Sequence, residues 1–350
     1  MVSRRAVLLG LSAASITSSR AVPDEQKPSG QADIAAPAIL SRLGLPQILE
    51  AWGGAGNNAI DNQPVIAAML KAGVREIKLG EGNYKIASPL PDFGYPVHIR
   101  GISKGGSVLR FMQTSGTLMR FYSASQLCTP TLEDFSLFMA GGANVDAAIH
   151  LLAHSQDFAP DFAVLHRLNI TGETPSSTAS YGLLLDGAPR QGAGRGLTGL
   201  RNLTIESCEV FNTTVRAVEG RQLRVCAIRD VRCFATGNNA NASVAFDGPS
   251  AQFKTEGLKL SDNNMLDSLT LGHVAHADIT GDYGATTLGV GSEMIVFSGE
   301  MGDLSLHGRN AVLSGIFGTV THSATARNCR VTGLGTNGGG TGQNIVIALN

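Results

Sequence analysis

Beyond about residue 75 the chain alternates apolar and polar residues in short runs, with Gly, Asn, Asp, Ser and Pro between the runs. No apolar stripe at 3.6-residue spacing interrupts this pattern, so it predicts strands and turns. One arrangement, apolar-x-x-apolar-x-apolar, recurs at residues 132–137, 165–170, 200–205, 228–233, 266–271, 301–306 and 326–331. The steps between copies are 33, 35, 28, 38, 35 and 25 residues. A motif that persists while its period drifts describes stacked rungs with loops of variable length between them. The predicted fold is all-β: a right-handed, single-stranded parallel β-helix whose coils stack about 4.8 Å apart. A propeller would need four strands in each repeat of about 40 residues. A sandwich leaves the repeat unexplained, and the strict hexapeptide period of a left-handed β-helix is absent.

A second repeat carries the candidate chemistry. Residues 183–187, 216–220 and 244–248 are short apolar runs closed by a carboxylate and a glycine, which places Asp186, Glu219 and Asp247 33 and 28 residues apart. Stacked one above another, carboxylates on adjacent coils would lie about 5 Å apart and those two coils apart about 10 Å. These values bracket the acid pairs of retaining and inverting glycosidases. Crowded like charges also raise the pKa of one member, as a general acid requires. The expected roles are Asp247 or Asp186 as general acid and Glu219 as base or nucleophile. The same dipeptides at strand ends are ordinary turn chemistry. His154, 32 residues before Asp186, is expected in the same column one coil earlier. With Arg216 and Arg221 it forms the expected substrate-binding set.

In the other repeat, Asp134, Asn202, Asp230, Asp303 and Asn328 are expected to bond turn backbone and to stack along the axis. Arg201, Arg229 and Arg327 lie one place earlier and predict a solvated basic strip.

The N-terminal third is more specific. Residues 52–66 (WGGAGNNAIDNQPVI), 75–86 (REIKLGEGNYKI), 97–101 (VHIRG) and 107–111 (SVLRF) resemble the opening of pectate-lyase-superfamily proteins, phage tailspikes among them. The family form of the first is F-G-A-x-G-D-G-x-x-D-D-T-x-A-I. Here Asn57 and Asn58 stand for Asp-Gly and Asn62 for the second Asp, at positions that cap the fold. A short capping helix is expected from Pro64 to Ala72, with the proline in its first turn. The resemblance implies the β-helix and a polysaccharide partner. It implies a polysaccharide-degrading enzyme, either a glycoside hydrolase or a uronate-polymer lyase. Alternatives are a non-catalytic tailspike-like or adhesion β-helix, and a uronate-polymer epimerase.

A lyase needs a base near the sugar C5 proton and a neutraliser for the uronate carboxylate. Arg216, Arg221 and Arg224 near Glu219, with Asn238, Asn239 and Asn241 before Asp247, permit this. The resembling polygalacturonases carry N-x-D, D-D, G-H-G and R-x-K. Gly272-His273-Val274 and Phe253-Lys254 are poor substitutes and the paired Asp is missing, which sets that hydrolase family aside.

Net charge is −1, and the basic residues are scattered without interleaved aromatics, so nothing argues for nucleic acid. Residues 1–21, with Ser3-Arg4-Arg5 before an apolar stretch, resemble a twin-arginine export signal ending at Ala21, which predicts a periplasmic or extracellular protein. That stretch is too short to span a membrane. Residues 22–47 read as an arm and 48–350 as the β-helix, a monomer or homotrimer. Cys128, Cys208, Cys226, Cys233 and Cys329 have no metal-ligand spacing and read as small core residues. No metal or cofactor is expected. Residues 335–342 form a glycine-rich turn without the lysine of a phosphate loop.

Overall fold

A computed structural model of the chain describes residues 46–140, 144–154, 158–187, 199–235, 241–250 and 253–350. The expected export signal, nearly all of the arm, and Asn238 and Asn239 lie outside the described residues. Among those described, every named pair of strands is parallel and joins one coil to the next, giving the expected right-handed β-helix. Each wide coil contributes three strands. Pro130–Glu133, Ser136–Met139 and Asn144–Leu152 are one such set, and they pair onward with Val164–His166, Asn169–Gly172 and Thr178–Asp186. Three sheets therefore run the length of the molecule. Toward the C-terminus the strands merge: Thr255–Leu271 bends through all three sheets, with register shifts at its corners.

Alternation fills the interior. Ile99, Leu132, Leu165, Ile205, Ile228, Leu260, Ile279, Phe297, Leu313 and Val331 succeed one another in one buried column. Each fully buried aliphatic side chain contributes about 1.5–3 kcal/mol. All five cysteines are free and buried, and burial pushes the thiols of Cys208 and Cys226 up to about 12. The capping helix is Gln63–Lys71, with Pro64 in its first turn and Ile66, Met69 and Leu70 against the end of the core. Asn62 does not cap it through its side chain. The fully buried carboxamide instead accepts from Ala55 N–H and donates to the carbonyls of Ala55, Ile60 and Lys85. An aspartate at this position would lack those donors.

The repeat motif marks corners, and there are three kinds. Copies 132–137, 165–170 and 228–233 lie at the first corner, where Asp134, Arg167, Ser207, Asp230 and Asp262 all have φ between 48 and 61°. The in-register partner of the 165 copy is residues 205–210, not 200–205. Copies 200–205 and 326–331 belong to a second corner, where Asn202, Val225, Gly257, His276, Met294, Asn310, Asn328 and Asn344 are left-handed. Copies 266–271 and 301–306 lead into the third sheet. The drifting steps thus mix three columns. The expected polar stacking holds for Asn328, whose carboxamide bridges Asn310 (3.2 Å) and Asn344 (3.1 Å) along the axis. The basic strip does not form. Arg201 and Arg229 sit at different corners and pair with Asp161 (2.8 Å) and Glu206 (3.6 Å).

Candidate functional site

The outward face of the third sheet gathers the titratable groups. Its strands Thr178–Asp186, Thr213–Arg221 and Val244–Asp247 are in parallel register, and Asp186, Arg221 and Asp247 occupy one column. The three carboxylates therefore do not stack as expected. Glu219 lies two residues back, between Leu184 and Ala245. The reason lies in Gly220. It is not a turn glycine: it faces the core, where an added Cβ would fall 2.6 Å from the ring of the buried Phe246. The strand continues through it to Arg221, whereas Asp186-Gly187 and Asp247-Gly248 do end their strands.

A cavity of about 370 Å³ opens on this face, lined by Arg216, Glu219, Arg221, Asp247, Thr270 and His273 among others. Glu219 is committed on both oxygens. Arg216 Nε donates to Oε2 at 2.8 Å, and Arg221 Nη2 to Oε1 at 2.6 Å. Burial works against the Arg221 charge, but the hydrogen bond and charge of Glu219 outweigh it and hold the guanidinium above its ordinary pKa. Asp186 is buried and lies 4.0 Å from Arg221 Nη1. Asp247 differs, because its side chain is 54% exposed. Its Oδ1 accepts from the backbone N–H of Gly248 (2.7 Å) and His273 (2.5 Å) and lies 3.0 Å from His273 Nδ1. With Nδ1 donating to the carboxylate, the imidazole lone pair is on Nε2.

Two glycines on the following coils make room for this pair. A Cβ on Gly272 would fall 2.3 Å from Asp247 Oδ1, and one on Gly291 would fall 2.2 Å from His273 Cδ2. His273 is the residue that the failed G-H-G match hides. The available signal was spacing: it follows Asp247 by 26 residues, one coil. Arg216 and Arg221 line the cavity. His154 does not join it. It lies beyond the strand end, where Leu152, not His154, pairs with Asp186, and its Nδ1 is 2.8 Å from the hydroxyl of Tyr122. The Tyr122 pair occupies the same face two rungs before Asp186, next to the Arg120–Asp92 ion pair (2.7 Å). Arg224 is held away at the second corner, 3.7 Å from Glu256.

No family model matches the chain, and no curated protein does. Solved structures resemble it at low identity. The A-module of mannuronan C-5 epimerase AlgE6 from Azotobacter vinelandii is 11% identical with a TM-score of 0.55, covering 87% of this chain and 99% of that one. The catalytic unit of a GH87 α-1,3-glucanase from Streptomyces thermodiastaticus is 11% identical, TM-score 0.40, with coverage of 85% and 69%. Tailspike protein 3 of bacteriophage CBA120 is 12% identical, TM-score 0.39, with coverage of 89% and 60%. Among the described residues no helix is long and apolar enough to cross a membrane. The chain is a right-handed parallel β-helix.

Proposed function

We propose that this β-helix acts on an acidic polysaccharide at the cavity of the third sheet, as a uronate-polymer lyase with His273 as the proton-transfer group. The observation that carries this reading is the Asp247–His273 pair, exposed at the cavity and seated over Gly272 and Gly291. A base acting beside a carboxylate needs an oriented lone pair and cations for the developing charge. His273 Nε2 supplies the first, while Asp247 fixes the ring. Arg216 and Arg221 supply the second, each keeping N–H donors beyond those given to Glu219. In the reaction, Nε2 takes the C5 proton of a uronate and the C–H electron pair becomes the C4–C5 double bond. The C4–O bond breaks, and the imidazolium returns its proton to the departing oxygen. The same fold carries C-5 chemistry on mannuronan in the epimerase A-module.

The acid-pair hydrolase reading is weaker. Both oxygens of Glu219 are taken by guanidinium donors and Asp186 is buried against Arg221, so neither is placed to serve a glycosidic oxygen or a water. The test is a panel of polygalacturonate, alginate and hyaluronan, read in parallel for reducing ends and for the ultraviolet absorbance of unsaturated uronates. Both signals should rise together, and both should vanish in His273→Gln. Reducing ends without absorbance would return the assignment to hydrolysis. Solvent deuterium entering C5 without either signal would mean epimerisation. Binding with none of these would make the protein a glycan-binding β-helix.

A further inference from the structure

The second sheet carries a different surface. On Glu209–Phe211 and Arg232–Phe234 the middle residues Val210 and Cys233 are fully buried, so Phe211 and Phe234 point outward. They pair across the coils, with ring centroids 5.1 Å apart and planes inclined by 19°. Both are only half-buried. Beside Phe234 opens a separate cavity of about 420 Å³, lined by Asp230, Arg232, Asp262, Asn264 and Asp282. That volume lies within the range of about 300–1,000 Å³ usual for ligand sites.

The polar groups here are unequally engaged. Asp230 accepts from Ser207 Oγ (3.0 Å) and lies 3.6 Å from Arg232 Nε. Asn263 is structural: its carboxamide accepts from Val231 N–H and donates to Ile228 C=O. Its neighbour Asn264 is not, since the buried Oδ1 finds no hydrogen-bond partner among the described residues. An acceptor left so costs about 1–3 kcal/mol, which a ligand hydroxyl would recover once the Asn264 side chain turns toward the cavity that it lines.

From this arrangement we infer a second glycan-binding site, one that takes a neutral hexose chain by stacking it on Phe234 and hydrogen-bonding it through Asn264 and the flanking aspartates. Charge selects the class. Three carboxylates face one guanidinium, itself paired, so a polyuronate is repelled while sugar hydroxyls find acceptors. An aromatic ring gives the apolar face of a hexose its contact without a charge requirement. The site is on a different sheet from His273 and is independent of the lyase reading, which concerns an acidic polymer.

The test is isothermal titration of the full chain with cellohexaose, laminarihexaose, maltohexaose and mannohexaose. At least one should bind. Phe234→Ala should weaken it about tenfold or more, and Asn264→Leu should weaken it as well. His273→Gln should leave it unchanged, and oligogalacturonate should not compete. Phe234→Leu serves if the alanine variant does not fold. The inference is overturned if none of the four binds up to about 5 mM. It is equally overturned if binding survives both Phe234 and Asn264 substitutions, or if oligogalacturonate displaces the neutral probe. Loss of uronate activity in His273→Gln with neutral binding intact would separate the two sites.

Discussion

The two halves of this β-helix solve the same corner differently. In the first half, successive residues of the buried column fall 33, 40, 23 and 32 positions apart, from Leu132 through Leu165, Ile205 and Ile228 to Leu260. In the second half, Leu260, Ile279, Phe297, Leu313 and Val331 follow at 19, 18, 16 and 18. Wide coils put Asp134, Arg167, Ser207 and Asp230 in the left-handed corner position. Narrow coils put Gly281, Gly299, Gly315 and Gly333 there, at φ between 125 and 150°. In the wide coils the corner side chains pair from rung to rung, as Arg167 does with Asp134. In the narrow coils main chain packs directly on main chain: a Cβ on Gly315 would lie 1.9 Å from Gly299 O. The cavity with Asp247 and His273 sits where wide gives way to narrow. The wide coils supply the charged side chains, and the glycines of the narrow ones leave room for them.

If that junction is the site, removing its pair should have the largest effect. His273→Gln is expected to lower kcat/KM on the uronate substrate by about 10²–10⁴-fold, with the melting temperature little changed. Asp247→Asn should cost less than His273→Gln and shift the pH profile, because it removes the group that orients the ring. Gly272→Ala should approach either loss by displacing the Asp247 carboxylate. A Gly272→Ala enzyme with full activity would break the link between the narrow coils and the site.

The narrow corner is the next test. Gly315→Ala combines a backbone region that L-residues avoid with a clash against main chain, and should cost about 3 kcal/mol or more in chemical denaturation. A change at a wide corner, such as Ser207→Ala, should cost far less. Equal costs would mean that the two corners do not differ in the way the packing argues.

Acid should weaken both halves through their carboxylates. The hydrogen bond from Arg167 holds the Asp134 carboxyl below its usual range, and those from Lys254 and then Arg309 do the same for Glu293. A depressed folded pKa gives stability that is present above the unfolded value and is lost as pH falls through the folded one. The unfolded values are near 3.8 and 4.5, so the loss should set in below about pH 4.5, Glu293 before Asp134. Arg167→Leu should flatten the part due to Asp134, read as the urea midpoint against pH.

Much of this was legible in the chain. Alternation and punctuation gave the coils, and the N-terminal motifs gave the class and the cap. Register was harder, because one motif describes every corner of a β-helix: an apolar residue, two positions that turn, and a return to the core. Reading Leu132, Leu200 and Leu266 as one column merged three. Gly220 misled in the same way, since a glycine after a carboxylate looks like a strand end when its purpose is to admit Phe246. His273 was hidden because its partner is a coil away and its flanking residues match no signature. Phe211 and Phe234 belong to no repeat or motif that the sequence singles out, and only their alternation with the buried Val210 and Cys233 turns them outward.

The smallest expected effect is also the most direct check on the corner argument. Val225 is β-branched, 63% exposed and left-handed at φ 54°, in the column of Asn202, Gly257, Asn310, Asn328 and Asn344. Every reason for asparagine or glycine there applies to it, and its side chain contributes little burial in return. A left-handed L-residue costs about 1–2 kcal/mol, least for asparagine and glycine. Val225→Asn should therefore stabilise the protein by about 1 kcal/mol, seen as a higher denaturation midpoint at unchanged slope. The gain should exceed that of a valine-to-asparagine change at an exposed extended position such as Val312, where asparagine should destabilise. A neutral or destabilising Val225→Asn would show that the second corner is set by its neighbours' packing and not by its own backbone.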